Sequence, residues 1–156
     1  MHDSRLGTYG VTALTLGLLI RVGLIVSLVD LGYSFALIMG TGFASGKMAI
    51  IVTRKLFNPS YLAKTGSIIG YISTKSILYA TLIWLVPVIL FLSFFSILLG
   101  LVFVATAICF LGFRANHYLG GITGDVLGAI AFASELLFLL GILSIFTNYE
   151  TQINPI

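Results

Sequence analysis

Polar and apolar positions fall in long blocks along this chain, not in the short alternations of an amphipathic soluble fold. A polar, glycine-punctuated start over residues 1–10 gives way to an apolar run at about 11–29, broken only by Arg21. Residues 30–34 interrupt it, and a second apolar run at about 35–53 contains Lys47. Residues 54–75 form the one substantial hydrophilic stretch. They are followed by an unbroken apolar tract over 76–113, a polar stretch over 114–125, a last apolar run at about 126–147 and a polar tail. A helix needs roughly 20 residues to cross the ~30 Å hydrocarbon core, so the 76–113 tract is nearly twice too long for one span. It divides into spans at about 76–92 and 96–113, hinged near residues 93–96, with Pro87 inside the first, where neighbouring helices tolerate it. The pattern predicts an all-α, polytopic transmembrane helix bundle of about five spans, forming a single integral membrane domain over residues 1–156.

Composition narrows the class further. Hydrophobic residues make up 59% and charged residues 8% of the chain, against about a quarter charged in soluble domains. The net charge of +3 is concentrated in a few polar stretches, without the exposed basic surface that nucleic-acid binding requires. Five spans, two before the 54–75 stretch and two more before 114–125, place the N-terminus and both stretches on one side. Arg54, Lys55, Lys64, Lys75 and Arg114 then share that side, which the positive-inside rule makes cytoplasmic. Phe57, Tyr61 and Tyr71, interleaved with those cations, read as interfacial anchors. The run Gly40, Gly42, Ala44, Ser45, Gly46 reads as a close helix–helix contact, because small side chains let backbones approach in lipid. The first apolar run is too long for the core of a signal peptide. Cys109, the single cysteine, has no disulfide partner and no metal-ligand spacing around it, and reads as a small buried hydrophobe.

Two polar motifs carry the candidate chemistry. Gly120-Gly121-Ile122-Thr123-Gly124-Asp125-Val126-Leu127-Gly128 places a carboxylate among glycines at the mouth of the last span. Asp3, Ser4, Arg5 and Thr8 lie at the mouth of the first, on the same side. Carboxylates beside cations at a membrane surface suit Mg²⁺ and a phosphate-bearing substrate, because Mg²⁺ takes a few carboxylates together with substrate oxygens. The plainer reading is that Asp3 and Asp125 cap helices. Arg21, Lys47 and Glu135 lie at membrane depth, where each costs roughly 2.5–3.5 kcal/mol on insertion, and are expected to face the bundle interior or a wet cavity. They either pair with one another or bind phosphate, and Glu135 is expected in the same close-packed seam as Gly128. His2 and His117 flank the two motifs and read as solvated side chains.

These residues carry a family resemblance. Asp3-Ser4-Arg5-Leu6-Gly7-Thr8-Tyr9-Gly10 resembles the Asp-Ser-Arg-x-Gly-Thr-x-Gly segment of the adenosylcobinamide-GDP ribazoletransferases (cobalamin synthases). Gly120–Ala129 is similar to their Gly-Gly-x-Thr-Gly-Asp-x-Leu-Gly-Ala segment, and Glu135-Leu136 to a Glu-Leu pair in the final span. Arg21 falls where the family often has a basic residue. Lys47, in Ser45-Gly46-Lys47, stands near a family Ser-Arg, and Asn58-Pro59-Ser60 stands where family members often have Tyr-Ala-Arg. The family pattern continues upstream of Met1 with an acid-rich motif, so the resemblance implies that this chain corresponds to the C-terminal part of a larger family domain.

The implied reaction belongs to cobalamin biosynthesis. A hydroxyl of α-ribazole, or of its 5′-phosphate, attacks the phosphorus attached to cobinamide in adenosylcobinamide-GDP, and GMP leaves. Mg²⁺ is the implied cofactor, held by Asp3 and Asp125. Arg5 and Asp125 are then expected in catalysis, and Ser4, Thr8, Thr123, Arg21 and Lys47 in substrate binding. The implied location is the inner membrane. The implied partners are the two substrates, the bilayer, and either a separate N-terminal fragment or a second copy. Two other readings stand beside this one. A small transporter or channel subunit would use Arg21, Lys47 and Glu135 as pathway lining. An inactive remnant would retain the motifs without turnover.

Overall fold

The computed structural model describes residues 7–60 and 73–153, and these form five α-helices in chain order. They are α1 (Thr8–Asp30), α2 (Phe35–Leu56), α3 (Thr74–Phe91), α4 (Phe94–Leu119) and α5 (Gly124–Ile153). Four of them contain stretches long and apolar enough to cross a membrane, and α3 adds a shorter apolar helix over Ile77–Phe91. The all-helical polytopic bundle read from the hydropathy blocks is therefore the observed architecture.

Local chemistry explains the helix ends. Ser34 caps α2, its hydroxyl oxygen accepting from the Leu37 N–H at 3.2 Å. Ser93 caps α4 in the same way, accepting from the Ser96 N–H at 3.2 Å and donating its own hydroxyl to Ser96 Oγ at 2.7 Å. The expected break between the third and fourth spans thus falls at Leu92–Ser93. Pro87 lies inside α3, where its missing N–H removes one intrahelical bond. The two polar stretches are shorter than the sequence suggests. Arg54 and Lys55 occupy the last turn of α2, Lys75 the first turn of α3, and Arg114 and His117 the last turns of α4. The helices run on into these polar stretches because cationic side chains do not interrupt the backbone ladder. Lys64, Tyr61 and Tyr71 lie outside the described residues.

Helix α5 is the hub. It packs on α4, α2 and α1, whereas α3 rests on α2 and α4. The approach to α4 is close to backbone contact: a Cβ on Gly141 would lie 2.5 Å from the Gly100 Cα. The approach to α2 is similar, since a Cβ on Gly46 would lie 2.6 Å from the Ala131 carbonyl oxygen. Gly42, Ser45 and Gly46 are buried as the small-residue pattern predicts, and Gly40 instead faces open space. Phe138, Ile130, Leu139 and Ile142 fill the centre with Val88, Leu28 and Trp84. The Trp84 indole N–H donates to the Thr41 carbonyl at 3.4 Å. Buried hydroxyls such as Thr41, Ser45 and Thr53 donate to carbonyls of their own helix, which removes their cost in an apolar interior.

The contacts also fix the register. Gly17 faces Phe132 and Arg21 faces Glu135, so α1 and α5 run parallel. Gly42 faces Leu139 and Gly46 faces Ala131, so α2 and α5 run antiparallel.

Candidate functional site

The glycine-rich motif forms the α4–α5 turn, and each of its residues has a separate task. Gly120 ends α4 in the left-handed conformation at φ 63°, as helix C-termini commonly require. Gly121 follows at φ 142°, and a Cβ there would come within 2.6 Å of the Ser60 amide nitrogen and 2.7 Å of the Ser60 Cα. Only glycine permits that approach. Asn58–Ser60 runs alongside the motif as a parallel bridge, in which the Ile122 N–H donates to the Asn58 carbonyl and the Ser60 N–H donates to the Ile122 carbonyl, both at 3.0 Å. The Ser60 hydroxyl donates to the Leu119 carbonyl at 2.7 Å, satisfying an acceptor at the end of α4. One turn earlier, Phe57 lies over Gly112 and meets the Phe113 ring edge-on, with centroids 5.4 Å apart. The exit of α2 is therefore clasped to the turn that launches α5.

Thr123 then caps α5: its Oγ1 accepts from the Val126 N–H at 3.4 Å and its carbonyl from the Leu127 N–H at 3.1 Å. Asp125 is not the cap. It sits exposed in the first turn, with no cationic partner among the described residues. A carboxylate there is favoured by the helix dipole, and it remains open to a ligand.

Extending the register locates the neighbours of the motif along the bundle axis. Thr8 precedes Gly17 by as many residues as Thr123 precedes Phe132, about 14 Å at 1.5 Å per residue. Arg54 follows Gly46 by as many residues as Thr123 precedes Ala131, about 12 Å. The start of α1, the cationic end of α2 and the motif are level at one end of the bundle. Arg114 and His117 lie near the same end on α4. Thr8 itself is exposed. Asp3, Ser4, Arg5 and His2 lie outside the described residues.

The membrane-depth residues behave differently from one another. Arg21 Nη2 lies 2.6 Å from Glu135 Oε1, with side chains 24% and 8% exposed. Of the two sequence readings for this pair, mutual pairing is the one observed. Arg21 Nε and Ser134 Oγ are buried without a hydrogen-bond partner. Lys47 overturns the expectation of an interior position. It is exposed, with Nζ 4.8 Å from the centroid of Phe43. The stripe Thr41, Gly42, Ser45, Gly46, Ala49 fills the buried face of α2, and its close fit to α5 leaves no room for a lysine. Cys109 is likewise exposed, not buried, because the buried face of α4 runs through Val104, Ala107, Ile108 and Gly112. Gly128 is exposed, and a Cβ there would project into open space. The close-packed seam of α5 lies at Ala131, not at Gly128.

Among the described residues, no three His, Cys, Asp or Glu side chains gather to hold a metal. An exposed carboxylate at the end of the bundle where cations collect still fits Mg²⁺ chemistry, since that ion takes one or two carboxylates and completes its shell with substrate phosphates and water. Sequence reasoning identified Thr123 and Asp125 but not Ser60, whose hydroxyl and amide anchor the turn. The paired glycines signalled a close approach without indicating what approaches.

Comparison with known proteins gives a consistent assignment. The family model described as cobalamin-5-phosphate synthase matches residues 1–143. An adenosylcobinamide-GDP ribazoletransferase of Clostridium botulinum strain Langeland is 33% identical over 141 residues, covering 90% of this chain and 56% of the relative. Its counterpart in strain Kyoto is 35% identical over 150 residues, with the same coverage of each chain. That of Mesorhizobium japonicum is 32% identical over 146 residues, covering 90% of this chain and 53% of the relative. The chain thus spans little more than half the length of the curated relatives it matches. No solved structure matches it.

Proposed function

The chain belongs to the cobalamin-5-phosphate synthase family, and from that premise we propose that it contributes the catalytic end of a membrane-bound adenosylcobinamide-GDP ribazoletransferase. The observation that carries this reading is the common level of Thr8, Arg54, Thr123 and Asp125 in a bundle whose α1 and α5 run parallel. The start of α1, into which the first family-like motif leads, then lies at the same end of the bundle as the glycine-rich motif, and Arg54 lies at that end too.

In this reading α-ribazole or its 5′-phosphate attacks the phosphorus attached to cobinamide, its hydroxyl loses a proton, and the bond to GMP breaks. Asp125, with Asp3, would hold Mg²⁺ against the phosphate oxygens, and the ion would offset the charge that develops at phosphorus. Arg5 would bind the phosphate. Ser4, Thr8 and Thr123 would orient it, and the clasp at Ser60 would keep the α5 N-terminus, and with it Asp125, in place. Arg21 is engaged with Glu135 and would act through bundle integrity more than through substrate contact. Lys47 faces outward on α2, about 10 Å along the helix from Arg54 at 1.5 Å per residue, and would stand apart from this arrangement. A transport pathway finds less support, because Arg21 and Glu135 neutralise each other and Lys47 points away from the interior. The basic end would face the cytoplasm across the inner membrane.

The test is turnover by membranes containing this chain, given adenosylcobinamide-GDP, α-ribazole and Mg²⁺. The chain would be supplied alone and together with the portion of a curated relative that the match does not cover. GMP release with cobalamin formation is expected in at least one arrangement. Asp125→Asn is expected to lower it at least about a hundredfold, since a metal's contribution of several kcal/mol is at stake at tenfold per 1.36 kcal/mol. Correctly inserted protein that releases no GMP in either arrangement would overturn the reading.

A further inference from the structure

The outer face of α4 carries a feature the reaction does not use. A shallow, open groove runs along its last turns, lined by side chains of this one helix: Thr106, Cys109, Phe110, Phe113, Arg114, His117 and Tyr118. These positions recur at three- and four-residue spacing on the side of α4 turned away from its buried face at Val104, Ala107, Ile108 and Ala115. The groove has two chemically distinct parts. The part toward the middle of α4 is mainly apolar, with Phe110 and Phe113, which are 62% and 65% exposed, beside Thr106 and Cys109. The outer part is cationic and aromatic.

The position of the boundary follows from the length of the helix. α4 has 26 residues, and about 20 suffice to cross the hydrocarbon core. Starting from the tight turn at Ser93, the core is crossed by about Phe113, so Arg114 begins the overhang into the headgroup region. Arg114 is also held in a particular way. Its guanidinium carbon lies 5.5 Å from the Phe110 centroid and 5.7 Å from the Tyr118 centroid, and its Nη1 donates to the Tyr118 hydroxyl at 3.2 Å. The His117 ring meets Tyr118 edge-on, with centroids 4.9 Å apart. No carboxylate pairs with Arg114 among the described residues, so most of its five N–H donors remain for an outside acceptor. A planar cation braced by two rings, above an apolar groove and at headgroup depth, matches a phosphate with an acyl chain attached.

We propose that this groove is a binding site for one anionic phospholipid, with the acyl chain against Cys109, Phe110 and Phe113 and the headgroup phosphate on Arg114. A site of this kind differs from the general attraction of basic ends to anionic leaflets, because it depends on one cation and one apolar surface together. Binding is therefore selective for headgroup charge and saturates at one lipid per chain.

The experiment is native mass spectrometry of the full chain released from nanodiscs of phosphatidylcholine mixed with phosphatidylglycerol. The wild type is expected to retain one phosphatidylglycerol in about fivefold preference to phosphatidylcholine, the selectivity one cation at an anionic surface confers. Arg114→Gln should lose that preference, whereas Lys55→Gln, which removes another exposed cation at the same end, should keep it. Cys109→Trp, which fills the apolar part and leaves every cation in place, should also lose the bound lipid. Equal retention in wild type and Arg114→Gln, or equal loss in Lys55→Gln, would overturn the proposal. So would efficient Cys109–Cys109 cross-linking of the wild type in the membrane, since a second copy would then occupy the groove.

Discussion

Gly121 and Ser60 approach so closely that a single methyl group on Gly121 would lie 2.6 Å from the Ser60 amide nitrogen. The contact joins the end of α2 to the turn between α4 and α5, three helices whose only covalent links at this end are the chain segments themselves. The motif's paired glycines therefore belong to the scaffold, while its threonine caps α5 and its aspartate stands exposed in the first turn.

Substituting Gly121 with alanine should be costly on two counts, the φ of 142° and the missing space. A loss of about 1–3 kcal/mol is expected from the backbone conformation alone. Gly128→Ala provides a control of opposite sign, because Gly128 is exposed on a helix with nothing near it and alanine is the better helix former by about 1 kcal/mol. Denaturation in mixed micelles should place the two variants on opposite sides of the wild type. A Gly121→Ala protein as stable as wild type would refute the close approach.

The pair between Arg21 and Glu135 predicts an asymmetry. Removing one partner of a buried ion pair typically costs about 3–5 kcal/mol. A carboxyl group can be neutralised by a proton, whereas a guanidinium cannot. Glu135→Leu should therefore destabilise the bundle more than Arg21→Leu, and the double variant should recover much of the loss. A double-mutant cycle checks this, and additive effects would show that the two side chains do not interact.

Close packing of α2 on α5 predicts that size is tolerated at one glycine and not at another. Gly46→Leu drives a side chain into the Ala131 carbonyl, and Gly40→Leu projects into open space. Overpacking of this kind costs about 1–3 kcal/mol or more. Thermal aggregation of the detergent-solubilised protein should begin at a clearly lower temperature for Gly46→Leu, with Gly40→Leu near wild type.

Thr123 should be worth about 1 kcal/mol as the α5 cap. Hydrogen exchange resolves the effect locally: Thr123→Ala should speed exchange at Val126, whose N–H the threonine accepts at 3.4 Å, and leave the centre of α5 unchanged. Unaltered exchange at Val126 would leave Thr123 free for a substrate role alone.

The number of helices, their approximate ends and the family were legible in the chain itself. Blocks of apolar residues measured against a fixed bilayer thickness leave few alternatives, and Ser34 and Ser93 mark boundaries by side-chain capping and Gly120 by its left-handed backbone. The small-residue run marked α2 as a closely packed helix without giving its face, since Gly42, Ser45 and Gly46 are buried and Gly40 is not. The side-chain directions were not legible. Lys47 and Cys109 lie in runs apolar on every side, so periodicity carries no information about which face is buried, and both turned out to face outward.

The sequence alone thus determined the class of molecule and the order of its spans, because these depend on composition and local backbone preference. Only the tertiary structure decided that Arg21 engages Glu135, that Ser60 fastens the turn carrying Thr123 and Asp125, and that Thr8 and Arg54 lie level with them. Such pairings depend on helix register and rotation. Both are set by how small and large side chains interlock between helices distant in sequence, which a lipid-facing hydrophobic pattern does not encode.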